Sequence, residues 1–302
     1  MLRMKNDMIN INNSKDFIRS LDLSPPFEEL YELGDRLGAI LVNQKGDYEQ
    51  HVYVRGPILY ALISKLKPKT VLEFGTAGGY SALCMARAMV DNNIDGKIFT
   101  VDRLSMDFPQ TRNVKDNSGN ISTIKSSNNE HWPKVASKEL IEKIIPITGY
   151  TGQALNKIDL PKIEFSYIDA AHHYEGVKHD FYSLLNVSAK KFDVLFDDYI
   201  NRPFFGITKF VDEEIKNNFD VTLIQTDEIY ISSTEKQNHG MIWFSTETAK
   251  KPLSEIFPHS NVENFLKKYR RYEKYVVTNR HKLNTKIPYF TNVKFKFWKK
   301  SS

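Results

Sequence analysis

Acidic and histidine side chains follow two apolar runs near the middle of this 302-residue sequence. One run ends in Asp169, with His172 three residues further on, and a later run is followed by Asp197 and Asp198. If the two runs are neighbouring strands of one parallel sheet, their terminal carboxylates lie about 5 Å apart and repel one another. A divalent cation would remove that repulsion, and an all-oxygen ligand set suits Mg²⁺, with Mn²⁺ or Ca²⁺ as competitors. In the alternative interpretation, Asp198 only caps the segment that follows it.

A glycine turn earlier in the chain has the form of a turn that binds a nucleotide-like ligand. An apolar run that contains Glu73 predicts a buried strand, and the residues after the glycines predict a helix. Such a turn lets the backbone approach a ligand at the helix N-terminus. A dinucleotide fingerprint is excluded, because Ala77 and Tyr80 stand where that fingerprint needs glycines after Gly75. Asp102, at the end of the next apolar run, is placed to accept both hydroxyls of a ribose.

Two motifs resemble those of known methyltransferases. Residues 73–81, EFGTAGGYS, are similar to the S-adenosylmethionine motif of class I, catechol-type O-methyltransferases. Residues 168–177, IDAAHHYEGV, look more like the Asp-Gly-x-His-x-Tyr pattern of macrocin-type sugar O-methyltransferases. The resemblance covers residues 50–245. Ala170 departs from it where glycine is usual, and Asp198 departs where catechol-type enzymes carry asparagine, which raises the negative charge of the site.

The resemblance implies a cofactor, a metal and roles for individual residues. The cofactor would be S-adenosylmethionine, and the metal Mg²⁺ or another divalent cation, held by Asp169, Asp197 and Asp198. His172 would be the general base. The residues expected to bind the cofactor lie in the glycine turn, at the strand ends and in the turn after the third strand: Glu73, Gly75, Thr76, Ala77, Gly79, Ser81, Asp102, Thr151, Gly152 and Asp169.

Apolar runs that alternate with helical segments predict an α/β fold with a doubly wound, mostly parallel sheet of seven strands, the Rossmann-like methyltransferase fold. The last two runs are expected to form an antiparallel pair, and Pro146 marks an edge strand. We predict an N-terminal helical segment or lid over 1–50, a methyltransferase domain over 51–248 and a basic, aromatic extension over 249–302. The polar residues 113–129 are predicted to form a surface loop or lid.

Composition predicts a cytoplasmic protein without a membrane span. Its net charge is +5, and the last 41 residues contain 12 Lys or Arg and two acids, so a mildly acidic body precedes a basic tail. The single cysteine, Cys84, cannot form an internal disulfide and indicates a reducing compartment with a buried thiol. The tail is interpreted as packing its aromatic residues on the body. Binding of an acidic substrate, nucleic acid or a membrane surface is the alternative.

These patterns predict a metal-assisted O-methyltransferase that acts on a hydroxyl of a sugar, glycan or glycosylated metabolite. A catechol-like phenol is the alternative acceptor, and a metal-independent methyltransferase is the alternative enzyme. Outside enzymes, the fold could serve as an RNA- or polyanion-binding module. We expect a small-molecule or glycan partner and a homo-oligomer.

Overall fold

The computed structural model describes residues 9–11, 13–42, 48–51, 54–199, 206–231 and 236–284. The strands in these ranges are β1 (Ile9–Ile11), β2 (Ile40–Val42), β3 (Tyr48–His51), β4 (Thr70–Phe74), β5 (Lys97–Asp102), β6 (Gln110–Lys115), β7 (Ile121–Ser126), β8 (Ile144–Thr148), β9 (Ile163–Ile168), β10 (Ser188–Tyr199), β11 (Val221–Ile231) and β12 (Lys236–Ser245). The helices are α1 (Ser14–Ser20), α2 (Phe27–Leu37), α3 (Arg55–Leu66), α4 (Tyr80–Asp91), α5 (Asn128–Val135), α6 (Lys138–Glu142), α7 (Thr151–Ala154), α8 (Tyr174–Val187), α9 (Gly206–Phe210), α10 (Leu253–Ile256) and α11 (His259–Asn284). A π-helical turn, Val211–Ile215, continues α9.

One large sheet organises the described part of the chain. Its strand order is β1-β11-β12-β10-β9-β4-β5-β8. The central strand β4 pairs in parallel with β5 and β9, and β9 pairs in parallel with β10. Strand β12 runs antiparallel to both β10 and β11. Because β4, β5, β8, β9 and β10 all run in one direction, the segments that follow them meet at a single edge of the sheet.

Helices cover both faces of this sheet, as the apolar character of its central strands requires. On one face α3 and α4 contribute buried Ile58, Leu62, Leu83 and Met85 to a hydrophobic cluster. On the other face α8, α9 and α11 contribute buried Phe181, Phe210 and Leu266 to a second cluster. Each such side chain contributes about 1.5–3 kcal/mol of transfer free energy when it is fully buried. The two clusters fix the central strands and so the positions of their ends.

The sequence predicted most of this sheet correctly. The seven expected strands are present, β11 and β12 are the antiparallel pair, and Pro146 lies in the edge strand β8. An eighth strand, β1, pairs in parallel with β11 and was not predicted. The prediction of a surface loop over 113–129 was wrong, because these residues lie mainly in the β6–β7 hairpin and the first turn of α5. Cys84 is buried in α4, as expected.

The expectation of a basic tail is tested only in part. Helix α11 includes the segment around Tyr269 that the sequence favoured as helical, whereas residues 285–302 lie outside the described residues. Part of the predicted N-terminal segment also lies outside them. None of the helices in the described ranges has the length and apolar character that a membrane span requires.

The backbone of the turn after β4 comes unusually close to the end of β9. Gly75 has a φ of +98°, and a Cβ atom at this residue would lie 2.2 Å from the main-chain oxygen of Asp169. The Gly75 N–H donates to the oxygen of Val101 at 2.9 Å, and the Asp169 N–H donates to the oxygen of Phe74 at 2.9 Å. Only glycine fits at residue 75, since both the conformation and the space exclude a side chain.

We predict that Gly75→Ala lowers the free energy of unfolding by about 3 kcal/mol or more. The left-handed conformation costs an L-residue about 1–2 kcal/mol, and the clash with the Asp169 carbonyl adds the cost of overpacking, about 1–3 kcal/mol. The matched control is Gly119→Ala. Gly119 also has a positive φ, of 85°, but no neighbouring atom lies within 4 Å of the position that a Cβ would occupy there. Urea unfolding of both variants measures the difference, and equal losses would contradict the close approach.

Candidate active site

The glycine turn, residues 75–79, joins β4 to α4 in a constrained conformation. Gly75, Ala77 and Gly79 have φ values of 98°, 42° and 90°. Glycine adopts such angles freely, but Ala77 does so at a cost in backbone strain. Thr76 is buried, and its hydroxyl pairs with that of Thr100 on β5. The turn is therefore held by side chains around it as well as by its own glycines.

Asp102 fixes the turn from the end of the neighbouring strand. Its carboxylate accepts hydrogen bonds from the N–H groups of Ala77, at 3.0 Å, and Leu104, at 2.8 Å. The N–H of Gly149 donates to the main-chain oxygen of Asp102 at 2.8 Å. The short helix α7, which starts at Thr151 and includes buried Gly152, therefore begins close to Asp102. Three predicted cofactor-binding segments thus meet at one edge of the sheet.

Glu73 lies inside the protein rather than on the surface of this edge. It is fully buried, and its Oε2 accepts a hydrogen bond from the Thr100 hydroxyl. Its Oε1 accepts no hydrogen bond from any side chain or backbone group that the structure describes. Burial, together with the nearby carboxylates of Asp169 and Asp102, raises the pKa of Glu73 to about 8. Ser81 is partly exposed in the first turn of α4. Direct contacts of Glu73 and Ser81 with a cofactor stay predictions.

Asp169, His172 and Asp198 form a cluster that could hold a metal ion. One ligand atom from each residue lies within 4.8 Å of the ligand atoms of the other two. Nδ1 of His172 lies 2.5 Å from Oδ2 of Asp198. Asp169 follows β9 directly, whereas Asp198 lies within β10 at a register shift between Phe196 and Tyr199. Asp198 has a φ of +57°, a conformation that aspartate tolerates better than most residues.

The Asp197 carboxylate belongs to a different set of contacts. Asp197 is buried, and its Oδ2 accepts a hydrogen bond from the Tyr167 hydroxyl at 2.7 Å. The same oxygen lies 3.1 Å from NH1 of Arg55, which also lies 3.5 Å from Oδ2 of Asp169. Neither Arg55 nor Tyr167 was expected at the site from the sequence. No motif surrounds Arg55, and Tyr167 reads as one of the apolar residues of its strand. The role of Asp197 as a metal ligand stays a prediction.

Charge in this cluster controls the protonation of His172. The hydrogen bond to Asp198 and the surrounding carboxylates raise the pKa of His172 to about 9, against the opposing effect of burial. Burial and the adjacent Asp197 carboxylate raise the pKa of Asp169, while Arg55 acts in the opposite direction. A protonated imidazole cannot accept a proton. Positive charge that offsets the Asp198 carboxylate would therefore favour the predicted role of His172 as general base.

The residues of this edge fit both predicted ligands. Arg55 lies beside the carboxylates of Asp169 and Asp197, and the Asp198 carboxylate lies within 4.8 Å of the ligand atoms of Asp169 and His172. Oxygen-rich acidic groups of this kind suit a hard divalent cation. For the cofactor, the close approach at Gly75 leaves the turn without projecting side chains, and the carboxylate of Asp102 is partly exposed beside it. A nucleoside with a short charged chain fits this arrangement, because its ribose can bind the Asp102 carboxylate and its chain can lie against the backbone of the glycine turn.

Comparison with known proteins agrees with this geometry. Residues 72–199, which contain the glycine turn and all four of the residues Asp169, His172, Asp197 and Asp198, match the sequence model of a family described as a methyltransferase domain. Over these residues the chain is similar to a methyltransferase domain. This match agrees with the predicted class of enzyme, and the strand order described above agrees with the predicted Rossmann-like sheet.

Solved methyltransferases resemble the chain at low sequence identity. The O-methyltransferase TomG from Streptomyces achromogenes, involved in tomaymycin synthesis, is 17% identical over 77% of this chain and 96% of its own, with a TM-score of 0.46. An O-methyltransferase from Bacillus cereus is 17% identical over 77% of this chain and 97% of its own, with a TM-score of 0.46. A Podospora anserina methyltransferase is 15% identical over 76% and 92%, with a TM-score of 0.46. No curated protein matches the chain.

We predict that the stability of this protein falls as the pH rises from about 4.5 to about 8, and that Glu73→Gln removes much of this fall. Because the folded-state pKa of Glu73 lies above its ordinary value, the folded protein holds a proton that the unfolded chain loses. The contribution is complete below pH 4.5 and amounts to roughly 5 kcal/mol across this range.

The measurement is urea unfolding of both proteins at several pH values, without added metal. Glu255→Gln is the control, since Glu255 is an exposed residue of α10. If the free energy of unfolding changes with pH in the same way in the wild type and in Glu73→Gln, Glu73 does not hold a proton in the folded protein.

Proposed function

We propose that this protein is an S-adenosylmethionine-dependent methyltransferase that transfers a methyl group to a hydroxyl oxygen with the help of a divalent cation. The acceptor we propose is a sugar, a glycan or a glycosylated metabolite whose neighbouring oxygens can approach the cation together. The single observation that carries the proposal is the grouping of Asp169, His172 and Asp198 at the edge that also contains the glycine turn. The macrocin-type resemblance of residues 168–177 supports the sugar acceptor.

The chain supplies the two binding sites and the base. S-adenosylmethionine supplies a methyl group on a sulfonium, and a divalent cation supplies positive charge that lowers the pKa of a nearby hydroxyl. Asp102 would hold the ribose, and the glycine turn would accommodate the methionine half. Asp169 and Asp198 would hold the cation. His172 would remove the hydroxyl proton as the acceptor oxygen forms its bond to the methyl carbon and the carbon–sulfur bond breaks, which leaves S-adenosylhomocysteine.

The protein accelerates such a reaction mainly by positioning. The sulfonium methyl carbon must lie in line with the acceptor oxygen, and correct placement can supply about 7–11 kcal/mol of the barrier. The short backbone contacts between the glycine turn and Asp169 support this proposal, since they fix the distance between the methyl donor and the acidic cluster. An exposed imidazole face is also required, and about half of the His172 side chain is exposed.

The position of Arg55 supports a second candidate function, that of a metal-independent methyltransferase. Its guanidinium lies within 3.5 Å of oxygens of both Asp169 and Asp197, so it already compensates part of their negative charge. In that case His172 and Asp198 would form an acid–base pair without a cation. The two candidates differ in their response to chelation, and in whether any divalent ion binds the purified protein.

We predict that the full chain binds Mn²⁺ or Mg²⁺ and that Asp198→Asn weakens this binding at least tenfold, because it removes one negative charge from the cluster. Calorimetric titration measures the affinity, and Asp159→Asn, at an exposed acid away from the site, is the control. Asp197→Asn tests the third predicted ligand, and His172→Ala is expected to leave the metal affinity closer to that of the wild type, because His172 is proposed as the base. Methyl transfer that continues undiminished with a chelator would support the metal-independent enzyme.

Two further substitutions separate cofactor binding from chemistry. Asp102→Ala is expected to weaken the binding of S-adenosylmethionine about 10- to 100-fold, because charged hydrogen bonds to the ribose are lost. His172→Ala is expected to slow turnover about 10²- to 10⁴-fold while the cofactor affinity stays close to that of the wild type. Calorimetry gives the affinities, and release of S-adenosylhomocysteine with a panel of glycans and phenols gives the rates. A His172→Ala enzyme with wild-type turnover would exclude His172 as the base.

A further inference from the structure

The β6–β7 hairpin and α5 contact the tip of the glycine turn. Two side-chain amides donate hydrogen bonds to the carbonyl oxygen of Ala77: Nδ2 of Asn128 at 2.9 Å and Nε2 of Gln110 at 3.2 Å. The indole Nε1 of Trp132 donates to the carbonyl oxygen of Gly78 at 2.9 Å. These side chains therefore hold the two peptide units at the tip of the turn.

Ala77 is fixed on both sides of its backbone. Its N–H donates to the Asp102 carboxylate, while its carbonyl receives the amide donors of Asn128 and Gln110. This matters because Ala77 has a φ of +42°, which an alanine adopts only when its surroundings hold it there. Without these contacts, the turn would relax toward a conformation that an L-residue prefers.

Arg112 decides which way the Asn128 amide points. Asn128 is buried, and its Oδ1 accepts a hydrogen bond from NH2 of Arg112 at 2.9 Å. A guanidinium only donates hydrogen bonds, so the amide oxygen must face Arg112 and the NH₂ group must face Ala77. Arg112 is itself buried, and no described carboxylate forms an ion pair with it. Burying a guanidinium in this way costs free energy, and its main polar contact is the amide of Asn128.

We propose that Asn128 is a positioning residue for S-adenosylmethionine. It acts through the Ala77 carbonyl and holds the glycine turn in the conformation that binds the cofactor. The apparent dissociation constant of a ligand rises in inverse proportion to the fraction of protein in the binding-competent conformation. Loss of the Asn128 donor therefore weakens cofactor binding even though Asn128 does not touch the cofactor. The inference rests on the proposed binding of the cofactor at the glycine turn.

The decisive variant is Asn128→Asp. Aspartate has the same shape, keeps an oxygen for Arg112 and gains an ion pair with it, but it has no donor for the Ala77 carbonyl. A purely structural role for Asn128 predicts no change in cofactor affinity as long as the protein stays folded. Our proposal predicts that Asn128→Asp stays folded, because the ion pair with Arg112 offsets the repulsion between its second oxygen and the Ala77 carbonyl, while the affinity for S-adenosylmethionine falls about tenfold.

Calorimetric titration of the full chain with S-adenosylmethionine and thermal unfolding of the same samples form the test. Gln110→Leu, on the partly exposed hairpin, is a second variant with an expected loss of about threefold. Asn129→Leu is the matched control, since the Asn129 amide donates to Asp107 and not to the turn, and its affinity is expected to equal that of the wild type.

Wild-type affinity in a folded Asn128→Asp protein would overturn the proposal. A wild-type protein that fails to bind S-adenosylmethionine would instead overturn its premise, the cofactor site itself. Cofactor binding with undiminished affinity in Asn128→Asp, alongside the predicted loss in Asp102→Ala, would leave the methyltransferase function intact and remove only the role of Asn128.

Discussion

The close backbone contact between Gly75 and the end of β9 is the constraint on which the rest of the site depends. It joins the turn that would receive the cofactor to Asp169, the first residue of the acidic cluster. Parallel pairing of β4 with β5 and β9 produces this contact, and the two hydrophobic clusters keep the strands in register. The glycine turn and the acidic cluster are therefore held at a fixed separation by the core of the sheet.

Electrostatic balance divides the carboxylates of this edge into two groups. Asp197 is compensated by Arg55 and by the Tyr167 hydroxyl, in a buried setting where an unpaired charge would be costly. Asp198 is paired with His172 at a more exposed position. Asp169 lies between the groups and contacts Arg55 as well. The Asp198 carboxylate favours the protonated form of His172. Positive charge added beside Asp198 would therefore lower the pKa of His172.

The segment between β5 and β8 stabilises the same turn through side-chain hydrogen bonds. Its hairpin and α5 supply donors from Gln110, Asn128 and Trp132 to carbonyls that the turn itself cannot satisfy. These donors satisfy the carbonyls of Ala77 and Gly78 where the hairpin and α5 pack against the turn. A region that appears in the sequence as a polar connection is therefore part of the structure that shapes the predicted cofactor site.

The sequence by itself determined the seven main strands, their α/β order, the glycine turn and the acids at the strand ends, because hydrophobic periodicity and glycine spacing are local properties. It missed β1, which is only three residues long, and the β6–β7 hairpin, whose exposed polar residues carry no apolar alternation. Only the tertiary structure decided that Arg55 lies beside Asp197, that Asp198 turns toward His172, and that Asn128 reaches the Ala77 carbonyl. These contacts join residues far apart in the chain, and such pairings depend on how helices and strands pack rather than on local composition.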